Sequence, residues 1–193
     1  MGPLSTYNIH GVQNEKGEVE MVRSFWFAPL SVLFCLCGGC TNSTTAGIPA
    51  VTPFDAASYA GVWYEIARMP HWFERGMSNV KAVYTLEKDG TIKVVNSGIR
   101  SGRHKSVNGK AWFTVRPDVG ELRVSFQYPF SGIYKVIWID NAYSVAVVTG
   151  GDYSYLWILA RKPQISENEL EKLLQWITAL GYETDQLIFT GQK

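Results

Sequence analysis

The chain has 193 residues, 46% of them apolar and 18% charged, a composition that supports one packed domain and excludes a disordered chain. A formal net charge of +1 leaves no broad basic field for nucleic acid. The three cysteines, Cys35, Cys37 and Cys40, sit close together, so the body from Thr41 onward has no disulfide, no cysteine-based metal site and no thiol nucleophile.

Residues 1–20 are polar and lack an apolar period, and they are expected to be a mis-called start, with translation beginning at Met21. Arg23 then serves as a short basic region. Phe25 to Leu36 is apolar over a signal-peptide length, too short for a relaxed bilayer span. Gly38-Gly39-Cys40 follows, so 21–39 reads as a signal peptide. Small residues before a cysteine resemble the lipobox of bacterial lipoproteins, although Cys37 stands where a leucine is usual. That resemblance implies lipidation at Cys40, and Thr41 after the cysteine implies the outer membrane, facing the periplasm. Residues 40–53 are rich in Thr, Ser, Gly and Pro and are expected to form a flexible tether.

From Tyr59 the chain reads as short strands. Gly61 to Met69 is the first. Val80 to Glu87 alternates with a period of two, and Lys88-Asp89-Gly90 is a hairpin turn before Thr91 to Gly98. Lys105 to Val115, Glu121 to Tyr128, Ile133 to Asp140, Tyr143 to Thr149 and Tyr153 to Arg161 complete eight strands, spaced for an up-and-down meander. The period then changes. Ser166 is an N-cap with Glu169 at N3, and Ile165 can pack on Leu170. Leu170, Leu173, Leu174, Ile177 and Leu180 share one helical face, and Gly181 supplies the stop. Leu187 to Thr190 is a last short strand. The predicted fold is all-β: an eight-stranded antiparallel barrel over 54–193 with one C-terminal helix packed outside. Closure removes the exposed edges of a flat sheet and leaves room for one small ligand.

Gly61-Val62-Trp63 resembles the G-x-W motif that opens the first lipocalin strand. Asp140 with the nearby Tyr143 resembles the loop between the sixth and seventh strands. Trp157 to Arg161 resembles the third motif, whose arginine lies over the tryptophan. Trp63 to Arg68, Trp72 to Gly76 and Trp157 to Pro163 are similar to the bacterial outer-membrane lipoprotein lipocalins and the apolipoprotein D branch. The resemblance covers Phe54 to about Gln192. It implies a lipid-binding protein, with Gly61, Trp63, Asp140 and Arg161 as structural residues. A cation–π contact of Arg161 with Trp63 would contribute ~1–2 kcal/mol.

Alternation from Trp63 predicts which side chains point inward. On the early strands these are Ala67, Tyr84, Ile92, Val94, Phe113, Val124, Phe126 and Tyr128. On the later ones they are Tyr134, Val136, Trp138, Val145 and Val147. The ligand-contact candidates are Tyr84, Arg100, Phe113, Phe126, Tyr128, Tyr134, Val136 and Trp138. Of these, Tyr84, Arg100 and Tyr128 match pocket positions of the apolipoprotein D branch. Arg100, in a loop expected at the open end, could meet a carboxylate or phosphate. His71, Trp72 and Phe73 fall in a loop that resembles the lid of the calyx. The expected ligand is a fatty acid, a lysophospholipid or a similar amphiphile, and the expected membrane contact runs through Cys40. Nothing marks an interface, so a homodimer stays open.

No catalysis, cofactor or metal is expected. His71 and His104 stand far apart in loops, and no Ser-His-Asp spacing, metal-ligand run or phosphate loop is present. Glu65 is the one carboxylate that alternation places inward, where pairing with a neighbouring strand's polar groups is expected. A structural envelope lipoprotein with a filled barrel, and a lipocalin-fold enzyme acting on a lipid, are the alternatives.

Overall fold

The computed structural model describes residues 44–192. The expected mis-called start (1–20), the expected signal peptide (21–39) and Cys40 lie outside the described residues. Eight strands follow one another: β1 (Gly61–Arg68), β2 (Met77–Leu86), β3 (Ile92–Arg100), β4 (Arg103–Phe113), β5 (Glu121–Gln127), β6 (Phe130–Ile139), β7 (Val145–Thr149) and β8 (Leu156–Ala160). Each pairs antiparallel with the next, and β1 pairs with both β8 and β2, so the sheet closes into the predicted barrel. A four-residue helix, α1 (Ala56–Tyr59), precedes it, and α2 (Glu167–Ala179) packs outside. The short β9 (Ile188–Phe189) lies against β1 beyond the eight. β2 pairs with β1 only along Gly61 to Tyr64. Higher up, Thr190 and Gln192 bond to the carbonyls of Glu65, Ile66 and Val80 and fill the seam.

Local chemistry explains the turns and caps. Asp89 accepts from the Thr91 amide at 3.0 Å, and Gly90 takes a φ of +79°. The β3–β4 connection is only Ser101-Gly102, both at positive φ, the two-residue turn whose twist suits a hairpin. Arg100 and Arg103 therefore stand on paired strands rather than in a loop. Asp55 caps α1 by accepting from Ala57 and Ser58, and Ser166 caps α2 by accepting from the Glu169 amide.

Two cores result. One fills the barrel and includes Phe54, Tyr59, Trp63, Leu122, Val136 and Val148. The other lies between the wall and α2 and includes Ile66, Ala67, Val147, Ile158, Leu173 and Ile177. Bulges decide which residue joins which core. β1 slips between Glu65 and Ala67, and β6 slips between Val136 and Trp138. Each slip adds one residue to the strand and inverts the alternation beyond it. Ala67 and Trp138, expected inside, therefore face the α2 side. Val145 and Val147 do so as well. β7 is buried on both faces, so its apolar run carries no alternation to read.

The segment expected to be a free tether is bound from Thr44 onward. Thr44 bridges Asp152, and the fully buried Thr45 donates to the Gly150 carbonyl at 2.6 Å. Lys135 donates to Ile48 O at 3.1 Å, and Val51 bonds backbone to backbone with Val136 and Gly120. Hydroxyl-rich sequence can satisfy a sheet wall as well as water, and composition alone does not distinguish the two.

One end of the barrel is sealed. The Arg161 guanidinium lies 4.0 Å from the Trp63 ring. It donates to the carbonyls of Val62, Ser58 and Ala60 at 2.7–2.8 Å, and the Trp63 indole donates to Tyr59 O at 2.8 Å. Gly61 has a φ of +101°, and a Cβ there would meet Arg161 Nη1 at 3.2 Å. Asp140 organises the adjoining β6–β7 turn by accepting from the Ser144 and Val145 amides at 2.6 and 2.8 Å. Replacing Arg161 with Met removes a charge-assisted donor to several carbonyls. It should lower unfolding free energy by about 3 kcal/mol in urea titrations; a loss below about 0.5 kcal/mol would show the cap to be dispensable.

Candidate functional site

Above the seal the barrel encloses a cavity of about 780 Å3 that opens at the opposite end. Its floor is a chain of phenols: Tyr134 Oη lies 2.6 Å from Tyr59 Oη and 2.9 Å from Tyr84 Oη. Burial raises the pKa of all three, so the hydroxyls stay protonated and bond to one another. The walls are apolar, with Val80, Ile92, Val94, Leu122, Val124 and Leu159 among the lining residues. Trp72, Phe73, Phe126, Phe130 and Trp157 stand nearer the mouth.

A polar cluster lies under the lid. Arg68 is buried and ion-paired with Glu65 three residues earlier on the same strand, and it donates to the Glu74 carbonyl at 2.8 Å. This corrects the expectation that Glu65 would pair with a neighbouring strand. The bulge after Glu65 is the cause, because it turns Arg68 to the inner face that Glu65 already occupies by alternation. Glu74 accepts from the Trp157 indole at 3.2 Å, and its Oε2 lies 2.6 Å from His71 Nε2. His71 Nδ1 lies 3.2 Å from the Met69 carbonyl, which can only accept, so Nδ1 carries the proton. Burial, with the Arg68 charge adding to it, holds His71 down to about 4. Burial and the neighbouring Glu65 push Glu74 up to about 7. A protonated Glu74 that donates to neutral His71 fits both shifts and the tautomer. Burial raises Glu65 as well, against the pull of Arg68. Among the described residues three side-chain atoms are buried without a hydrogen-bond partner: Arg68 Nε, Asn96 Oδ1 and Arg100 Nε. Arg100 also donates through Nη2 to the lid carbonyl of Phe73 at 2.6 Å.

Of the eight contact candidates, Tyr84, Arg100, Phe126 and Tyr134 line the cavity. Val136 and Phe113 belong to the interior core but do not border the cavity. Trp138 is outside for the reason given above. Tyr128 is 93% exposed in the β5–β6 turn, because the pairing of these strands shifts between Val124 and Gln127 and the strand ends before it. Asn96, Glu74, Trp157 and Tyr59 border the cavity and were not among the candidates. Asn96 was within reach of the reading, since it continues the Ile92, Val94 alternation. Glu74 was not, because it arrives on a loop. Among the described residues no group of three or more His, Cys, Asp or Glu is arranged to hold a metal, and no helix is long and apolar enough to cross a membrane.

A profile of the lipocalin-like domain matches residues 54–192. The outer membrane lipoprotein Blc of Citrobacter freundii is 44% identical over 156 residues, covering 79% of this chain and 88% of that protein. The Blc protein of Vibrio cholerae is 38% identical over 175 residues, covering 89% of this chain and all of its own length. Apolipoprotein D of Macaca fascicularis is 29% identical over 164 residues, covering 81% and 84%. Among solved structures, insecticyanin of the tobacco hornworm Manduca sexta superposes with a TM-score of 0.63 at 18% identity, covering 74% of this chain and 83% of its own. That likeness concerns the fold.

Replacing Arg68 with Met leaves the Glu65 carboxylate buried without its partner, and should cost about 3–5 kcal/mol in urea unfolding. Glu74 gives a pH dependence of defined sign. Between 4.5, the ordinary value, and about 7 the folded protein keeps a proton that the unfolded chain has released, so this group's contribution to stability falls as pH rises. Glu74→Gln should therefore gain on the wild type across that window in unfolding titrations at stepped pH. A constant difference between the two proteins would remove the protonated-carboxyl assignment.

Proposed function

Since the chain belongs to the lipocalin family, we propose that it holds a fatty acid, a lysophospholipid or a similar single-chain amphiphile in the cell envelope, and carries or stores it there. The observation that carries this reading is the blind apolar cavity of about 780 Å3 with one mouth. Its size lies in the range of small-molecule sites. Burying ~10–15 methylenes at ~0.8 kcal/mol each would supply roughly 8–12 kcal/mol before ordering costs. The tail would lie among Ile92, Val94, Leu122 and Val124. The partnerless Arg100 Nε suits a carboxylate or phosphate oxygen, and Asn96 Oδ1 suits a ligand hydroxyl.

The similarity to the outer membrane lipoproteins Blc supports an outer-membrane, lipid-anchored location. In this reading the anchor is lipidated Cys40, and the barrel faces the periplasm. Binding without chemical turnover is the assigned role: Glu65 is committed to Arg68, and Glu74 to His71 and Trp157. A filled structural barrel is the competing reading, and the cavity counts against it.

Adding lysophospholipid or fatty acid should change tryptophan fluorescence through Trp157 and raise the melting temperature. Val124→Trp places a ring in the cavity and should weaken binding at least about tenfold, equal to about 1.4 kcal/mol. If neither amphiphile at saturation moves fluorescence or melting, the reading fails.

A further inference from the structure

The three most exposed large apolar side chains among the described residues are all aromatic, and all stand at the mouth. Trp72, in the β1–β2 loop, is 78% exposed, and Tyr128 and Phe130, at the β5–β6 turn, are 93% and 73% exposed. Exposed basic residues stand at the same end: Arg75 on the same loop as Trp72, and Arg103 and Lys105 at the start of β4. None of these three forms an ion pair with another described residue. In the four connections at this end, Asp152 is the one exposed acidic residue. Two rings with a polar edge, Trp72 and Tyr128, and the phenyl ring of Phe130, together with cations around an apolar opening, match the chemistry of a bilayer interface with anionic head groups.

The path of the chain adds an independent constraint. Thr44 and Thr45 are fixed to Gly150, Gly151 and Asp152 in the β7–β8 connection, which lies at the open end. Cys40 is four residues earlier, so even an extended chain holds it within about 14 Å of Thr44. The described chain that an anchor on Cys40 would lead into therefore begins at the mouth and not at the sealed end.

We propose that the mouth docks on the surface of an anionic lipid bilayer, with Trp72, Tyr128 and Phe130 at head-group level and Arg75, Arg103 and Lys105 against the lipid phosphates. Ligand then passes between bilayer and cavity without crossing bulk water. This rests on the reading of the cavity as a lipid site and of Cys40 as the anchor, and it names the surface with which the site exchanges. A second copy of the chain fits the rim less well, because a two-fold contact through the same patch sets its basic residues against each other.

The test uses the lipidated full-length protein in vesicles of phosphatidylethanolamine and phosphatidylglycerol with brominated acyl chains, and again in brominated phosphatidylcholine. Trp72 fluorescence is read as the difference from Trp72→Phe. Quenching that is stronger in the anionic vesicles is the expected result, and no quenching in either overturns the proposal. This measurement needs no ligand, so it decides docking even if the cavity takes up no lipid. The second measurement follows transfer of a fluorescent lysophospholipid from vesicle to protein. Tyr128→Ser/Arg103→Glu changes residues that do not border the cavity, so final uptake should match the wild type while the rate falls about tenfold. Equal rates with normal uptake overturn docking, whereas absence of uptake by both proteins overturns the lipid-binding reading instead. Crosslinking between copies that Tyr128→Ser abolishes, without quenching, would assign the rim to a second copy and overturn the bilayer.

Discussion

Arg161 over the Trp63 ring is the contact on which the rest of the molecule depends. A closed sheet of eight strands is a tube, and a tube in water has two wet ends. The guanidinium seals one of them by bonding to the carbonyls of the segment that enters β1 and by covering the indole face. The seal ties the start of β1 to the residue after β8, strands that must meet for the barrel to close. The cavity is blind because this end is shut. A blind cavity lined by apolar side chains sheds water readily when an acyl chain enters.

The open end is built on different principles. Its groups are polar, buried and mutually dependent: Arg68 answers Glu65, and Glu74 answers His71 and Trp157. Buried ion pairs contribute little net stability, because desolvation offsets most of their attraction. Their effect here is to fix the lid, since Arg68 also holds the Glu74 carbonyl and Arg100 holds that of Phe73. At the sealed end the bonds run from one guanidinium to backbone carbonyls, whereas at the open end they join side chains to one another and to the lid.

The lid and the rim share residues with the cavity wall. Trp72 and Phe130 border the cavity and are also largely exposed. A side chain in that position meets both the ligand and whatever lies outside. The continuity from lining to rim gives an amphiphile an apolar path from outside to floor.

The sequence determined the elements and their class by itself. The Asp89-Gly90 turn, the alternation of β2, the Ser166 cap and the α2 stripe are local, because hydrogen bonds and side-chain spacing a few residues apart specify them. The motif residues Gly61, Trp63, Asp140 and Arg161 were legible too, and half of the contact candidates line the cavity. What only the tertiary structure decided was facing and partnership. One extra residue at the β1 and β6 bulges turned Ala67 and Trp138 away from the interior, and the β7 run was apolar on both sides and could not choose. Glu74 and the segment from Thr44 found their places through bonds to residues far along the chain. Local pattern fixes a side chain's period, but its phase depends on which neighbour the strand pairs with, and that is settled only when the barrel closes.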